Sequence, residues 1–236
     1  IHRAGGGCVR DRTDRQPGER HATLGGLPGC RLAFARLAPS AESRSDQMGI
    51  DRASRRAVFL DRDGVINRVV VRDGKPYPPT RVEELDVLPG VAAALERLKR
   101  AGYLLVVVTN QPDVARGTQS RAVVEAIHTR LASILPIDEF RACYHDDGDS
   151  CACRKPKPGL ILDSARAHGV DLHASVMVGD RWRDIEAGEQ AGCATVFLDH
   201  GYAERKPRKP DAVFASLPEA AEWILARPSG ATHEDC

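Results

Sequence analysis

The chain has 236 residues, 42% of them hydrophobic and 28% charged, the balance of an ordinary soluble globular protein with room for one well-buried domain plus tails. A formal net charge of +1 gives no reason to expect nucleic acid or an acidic membrane surface as partner. No apolar run approaches the roughly 20 residues that span a bilayer, and Cys30–Ala38 is too short and too basic for a secretory leader, so a cytoplasmic address is expected.

Residues 1–50 carry no sustained apolar period and are rich in Gly, Arg, Asp and Ser. Such a segment buries too little to offset its ordering entropy and is expected to be disordered. The first methionine is Met48, just before the globular pattern begins, which suggests a native start there. An α/β domain is expected over 51–227, followed by a frayed tail over 228–236. Within the domain, Ala57–Leu60 is a short apolar run ending at Asp61. Val69–Arg72 and Lys75–Tyr77 flank Asp73-Gly74, which reads as a hairpin turn and the one candidate flap over a site. After Pro89-Gly90, the residues Val91, Ala94, Leu95 and Leu98 recur at helical spacing. Tyr103–Val108 reads as a buried strand ending at Thr109-Asn110. Ser120 is placed to cap a helix with Val123, Val124, Ile127, Leu131 and Ile134 on one face. Leu160–His168 is helical and stopped by Gly169. Ser175–Val178 is a strand ending at Gly179-Asp180, a helix follows through Ala187, and Ala194–Leu198 is a further strand. A weak strand at Ala212–Phe214 and a helix from Pro218 close the pattern. Continuous apolar strands alternating with amphipathic helices imply a parallel sheet covered on both faces.

Three strands therefore end, at their carboxyl ends, in Asp61-Arg62-Asp63, Thr109-Asn110 and Gly179-Asp180. Ligands of open α/β sheets bind in the crevice beyond those ends. Carboxylates gathered there repel one another unless a cation sits among them, and an all-oxygen donor set of this kind suits Mg²⁺ with a substrate phosphate. Of the seven cysteines, Cys143, Cys151 and Cys153 crowd beside His145, which points to metal binding before disulfides. Three thiolates and one imidazole make a closed tetrahedral Zn²⁺ set with no position left for a catalytic water, so this metal is expected to be structural, tying a polar loop. Cys193, between Gly192 and a strand, reads as plain core.

Phe59-Leu-Asp-Arg-Asp-Gly-Val-Ile-Asn67 resembles the first motif of the haloacid dehalogenase superfamily of phosphatases. Val106-Val-Val-Thr-Asn-Gln111 resembles the second, Arg154-Lys155-Pro156 the third and Val178-Gly-Asp-Arg-Trp-Arg-Asp184 the fourth. All four stand in order. Cys143-Tyr-His145 with Cys151-Ala-Cys153-Arg-Lys-Pro-Lys-Pro-Gly159 is similar to the branch that contains the heptose 1,7-bisphosphate and histidinol phosphatases. Two departures lie near the substrate side. Pro112-Asp113 stands where Ser-Gly is usual, and Tyr144 and Asp146 stand where heptose enzymes often have Pro and a second His.

The resemblance implies a three-layer Rossmann-like fold with a minimal cap, and hydrolysis of a small phosphorylated metabolite through an aspartyl-phosphate. Asp61 is the implied nucleophile and Asp63 the general acid and base. Mg²⁺ is expected on Asp61, the Asp63 carbonyl and Asp180, with Asp184 in support. Lys155, Thr109 and Asn110 are expected to hold the phosphate oxygens, and Gln111, Arg116, Arg154 and Arg181 are candidates for substrate recognition. Heptose 1,7-bisphosphate is the first-choice substrate and histidinol phosphate the alternative. A non-catalytic zinc-stabilised binding protein and phosphotransfer to an acceptor other than water stay open as other classes. No heptad or spare apolar face argues for an oligomer, so a monomer is expected.

Overall fold

A computed structural model describes residues 55–228; the expectations for residues 1–50, for a start at Met48 and for the tail beyond Pro228 lie outside these residues. In chain order the elements are β1 (Ala57–Leu60), the hairpin strands β2 (Val70–Arg72) and β3 (Lys75–Tyr77), α1 (Val91–Arg100), β4 (Leu104–Asn110), α2 (Arg121–Ala132), β5 (Glu139–Cys143), α3 (Gly159–His168), β6 (Val176–Gly179), α4 (Trp182–Ala191), β7 (Ala194–Leu198), β8 (Ala212–Phe214) and α5 (Leu217–Ala226). The main sheet has the order β5-β4-β1-β6-β7-β8, every neighbouring pair parallel.

Alternate strand residues divide between two cores. Val58, Leu60, Leu105, Val107, Val176 and Val178 face Leu95 and Leu98 of α1, Ile127 and Leu131 of α2 and Ile224 of α5. Phe59, Val106, Val108 and Met177 face the other way, onto Leu160 and Ile161 of α3 and Ala187 and Ala191 of α4. Burial on both sides explains why these strands read as unbroken apolar runs. Each fully buried large side chain contributes about 1.5–3 kcal/mol of transfer free energy, so the two cores fix the sheet before any polar group acts. Cys193 is buried and unpaired, as expected of plain core.

The chain winds outward from β1 to β4 and β5, then returns to lay β6 on the other side of β1 and winds outward again. The loops leaving β1 and β6 diverge, and a crevice opens beyond their carboxyl ends. The hairpin stands beside it: Asp73 (φ 50°) and Gly74 (φ 72°) both adopt left-handed conformations, as a tight two-residue turn requires.

Two elements differ from expectation. β5 is an added edge strand whose half-buried Glu139 and Arg141 pair with each other at 2.8 Å, so it shows no continuous apolar run. Ser120 caps α2 through the Val123 amide as expected, but α2 stops at Ala132 and leaves Ile134 44% exposed rather than on the buried face.

Candidate active site

Asp61 leaves the end of β1 with its backbone N–H bonded to the Val178 carbonyl (2.9 Å), which ties the ends of β1 and β6 together. Asp180 follows β6 directly. Between them the chain needs Gly64: at φ +89° a Cβ there would stand 1.9 Å from Asp180 Oδ2. Lys155 arrives from the loop before α3. Its ammonium donates to Asp61 Oδ1 (2.7 Å) and the Val108 carbonyl (2.7 Å) and pairs with Asp184 Oδ1 (2.6 Å). A cleft of about 260 Å³ opens over these groups, lined also by Asp63, Arg116, Arg181, Arg183 and the hairpin's Lys75 and Tyr77.

Burial dominates the electrostatics. It pushes the Asp61 carboxyl up to about 6 against the pull of the Lys155 ammonium, and the charges of Asp184 and Asp63 add to the rise. Asp180 is driven well above the usual carboxylate range by burial and by the charges of Asp61 and Asp184. Burial works to strip the proton from Lys155, but Asp184 and Asp61 outweigh it and hold the ammonium charged. Burial would likewise raise Asp63. The Arg62 charge, with hydrogen bonds from Arg62, Asn67 and Gln111, instead holds it below the ordinary value.

Carboxylate oxygens of Asp61, Asp180 and Asp184 lie within 4.8 Å of one another. Both Asp180 oxygens are buried without a hydrogen bond, although the Tyr202 hydroxyl lies alongside. Orphaned buried carboxylate oxygens beside two more carboxylates fit a hard divalent cation such as Mg²⁺. The Asp63 carboxylate stands outside this set, in the grip of Arg62. In the second cluster, Cys143 Sγ is 3.6 Å from His145 Nδ1 and 3.7 Å from Cys151 Sγ. Cys153 Sγ lies 3.3 Å from His145 Nδ1, 3.2 Å from Cys143 Sγ and 3.4 Å from Cys151 Sγ. These separations are slightly tighter than the ~3.8 Å edges of a tetrahedron built on Zn–S bonds of about 2.3 Å. The four donors fit Zn²⁺.

The structure gives several expected phosphate and substrate contacts other work. All three protons of the Lys155 ammonium are accepted by Asp61, Asp184 and Val108, which fixes it among the carboxylates at the floor of the cleft. Asn110 exchanges two hydrogen bonds with the Lys155 backbone, 3.0 Å each, and locks that loop. Gln111 donates to Asp63 Oδ2 (2.8 Å) and to Thr109 Oγ1 (3.0 Å). Neither Thr109 nor Gln111 lines the cleft. Arg154 is turned to the cysteine–histidine loop, donating to Asp147 Oδ1 (2.9 Å) and the His145 carbonyl (3.3 Å). Arg116 and Arg181 do line the cleft, but Arg116 is forked onto Asp146 and Arg181 onto Glu204. Asp113 also reaches Arg116 at 3.3 Å, so both unusual positions, Asp113 and Asp146, converge on one arginine.

Sequence reasoning missed Arg62, His128, Arg183, Lys75, Tyr202 and Glu204. Arg62 and Arg183 sat inside quoted motifs, and Lys75 sat on the expected flap. Nothing local marked His128, Tyr202 or Glu204.

A carboxylate-lysine centre at the switch point of a parallel sheet defines a phosphatase of the haloacid dehalogenase class. A HAD-hydrolase-like family model matches residues 152–220. A D-glycero-β-D-manno-heptose-1,7-bisphosphate 7-phosphatase of Pseudomonas aeruginosa is 38% identical over 181 residues, 73% of this chain and 99% of that protein. A D-glycero-α-D-manno-heptose-1,7-bisphosphate 7-phosphatase of Mycobacterium bovis is 41% identical over 150 residues, 59% of this chain and 77% of the relative. The crystal structure of D,D-heptose 1,7-bisphosphate phosphatase from B. bronchiseptica with magnesium and phosphate superposes with a TM-score of 0.59 at 35% identity, covering 72% of this chain and 98% of the other. The chain belongs to this family of heptose bisphosphate phosphatases within the haloacid dehalogenase superfamily.

Proposed function

We propose that the protein hydrolyses the 7-phosphate of D-glycero-D-manno-heptose 1,7-bisphosphate through a phosphoryl intermediate on Asp61. The observation that carries the reading is the meeting of Asp61, Lys155 and the orphaned Asp180 oxygens at the ends of β1 and β6. Asp61 attacks phosphorus and the ester P–O bond breaks; Asp63, ionised in the free site, takes the proton that the substrate's phosphate monoanion brings and passes it to the departing alkoxide. Water then gives a proton to Asp63 and attacks the same phosphorus, breaking the bond to Asp61 and releasing phosphate. Lys155 binds Asp61 Oδ1 and leaves Oδ2 as the attacking oxygen. Mg²⁺, when held by Asp61, Asp180 and the Asp63 carbonyl with Asp184 in support, neutralises the charge that develops on phosphorus oxygens. Zn²⁺ on Cys143, His145, Cys151 and Cys153 fixes the loop that delivers Lys155. Arg116, Arg181 and Arg183 rim the cleft where the rest of the substrate would lie. A monomeric enzyme in the cytoplasm is consistent with this reading, and among the described residues no helix is long and apolar enough to cross a membrane.

The relatives named above divide between α and β anomers. The test is therefore a kinetic panel with Mg²⁺: both heptose bisphosphate anomers, histidinol phosphate and other sugar phosphates, each with wild type and Asp61→Asn. One heptose bisphosphate anomer is expected to give the highest kcat/KM, with activity lost in the variant. Histidinol phosphate as the best substrate would overturn the substrate assignment, and activity surviving in Asp61→Asn would overturn the mechanism. Transfer to added alcohols at the expense of phosphate release would mark a phosphotransferase.

A further inference from the structure

Arg62 lies between the two catalytic aspartates in sequence, yet it is 0% exposed and cannot touch substrate. A guanidinium has no acceptor and rarely loses its proton, so a buried one must find acceptors for its N–H groups. Two sides of Arg62 are satisfied. Toward the cleft, Nε and Nη2 donate to Asp63 Oδ1 (3.1 and 3.0 Å), and Nη2 also reaches Oδ2 (2.8 Å). Away from the cleft, Nη1 meets Nε2 of His128 at 3.1 Å. Because arginine only donates, His128 Nε2 must carry the lone pair and the ring is neutral.

His128 belongs to the buried face of α2, and its ring stacks on Phe140 of β5 with centroids 4.8 Å apart and planes inclined by 22°. The acceptor is thus held by packing rather than by a flexible contact. Burial and the Arg62 charge both depress its protonation, which agrees with the geometry. We infer that His128 is a positioning residue for the proton-transfer half of the reaction: it anchors the rear edge of the Arg62 guanidinium, and the guanidinium sets the Asp63 carboxylate at the cleft. Asp61 is held separately, by Lys155. Loss of the anchor would leave a buried N–H without a partner and let the fork turn, disturbing Asp63 and sparing the nucleophile.

The inference rests on Asp63 as general acid, and the experiment separates the two. An alkyl phosphate such as a sugar phosphate needs its leaving oxygen protonated, whereas p-nitrophenyl phosphate releases a stable anion that needs little help. We would measure kcat and KM on both substrates for wild type, Asp63→Asn, His128→Leu and His128→Gln, with thermal melts to verify folding. Asp63→Asn should lose about 100-fold or more in kcat/KM on the sugar phosphate and far less on the aryl ester, because kcat/KM ends at the first displacement whereas kcat also includes the attack of water that Asp63 assists with both substrates. His128→Leu should show the same selectivity in kcat/KM at about 10-fold, with KM within about 2-fold of wild type, a fraction of the full acid–base effect. His128→Gln, whose carboxamide oxygen can accept from Nη1, should recover most of the loss. Selective loss in Asp63→Asn with equal losses on both substrates in His128→Leu, or no rescue by Gln, would reduce His128 to a packing residue and leave Asp63 as acid. Equal losses in kcat/KM on both substrates in Asp63→Asn would overturn both. If His128→Leu does not fold, the substrate ratio of His128→Gln against wild type decides, a ratio shifted by 10-fold or more being contrary to the proposal.

Discussion

Asp180 sits in the interior with neither carboxylate oxygen hydrogen-bonded and with two further carboxylates within 4.8 Å. Such an arrangement disfavours the folded state until a cation enters, so binding must appear as stability. Wild type at Mg²⁺ about 100-fold above its Kd should gain about 2.7 kcal/mol in thermal or denaturant unfolding, and Asp180→Asn should lose most of that gain together with turnover. Gly64→Ala meets both a left-handed φ and the Asp180 oxygen, which predicts a loss of roughly 1–3 kcal/mol and a marked fall in kcat, read by melting and assay of one preparation. His128 supplies a pH test. Its protonation falls from 6.5 to about 4 in the folded state, so the unfolded chain binds the extra proton between those values. Stability rises with pH across that window: the contribution is complete above about 6.5 and is lost as pH falls toward about 4. Wild type should lose roughly 2 kcal/mol between about pH 7 and about pH 5 through this group, and His128→Gln should flatten that part of the profile. Asp61 and Asp180 were legible because each ends an apolar strand run. The Arg62–His128 pairing was not, since it spans 66 positions and depends on where α2 lays one face.

At the scale of elements, the loop that carries Cys143, His145, Cys151 and Cys153 and its neighbours carry the test. Residues 144–152 are largely polar, yet this stretch leads into Arg154 and Lys155, whose backbone Asn110 clasps. Cys153→Ser, assayed with Mg²⁺ in excess, should open this loop to proteolysis and lower kcat through Lys155 while the two apolar cores keep the global fold. Limited proteolysis with peptide mapping reads the first effect and steady-state assay the second; unchanged kcat with a cleaved loop would uncouple zinc from the site. The cysteine spacing announced this loop, as Asp73-Gly74 announced the hairpin and Ser120 the start of α2. β5 stayed hidden because an edge strand needs only one buried face. Ile134 misled because a periodic apolar pattern does not reveal that the helix ends two residues earlier, at Ala132.

For the whole molecule, the order β5-β4-β1-β6-β7-β8 fixes where chemistry can occur, because the loops of β1 and β6 part there and nowhere else between adjacent described strands does the winding reverse. Alternation of strand and helix made the parallel sheet readable. The strand order itself required knowing that the chain returns beside β1. Charge around the cleft was the least legible property, since Arg116 and Arg181 are forked onto Asp146 and Glu204, acids distant in sequence. The central claim is that Asp61 is the nucleophile and carries the phosphoryl group between two in-line displacements. The stereochemical course at phosphorus, followed with an isotopically chiral phosphate ester and Mg²⁺, tests it directly. Two displacements predict net retention; net inversion would mean that water attacks the substrate itself and would contradict the account.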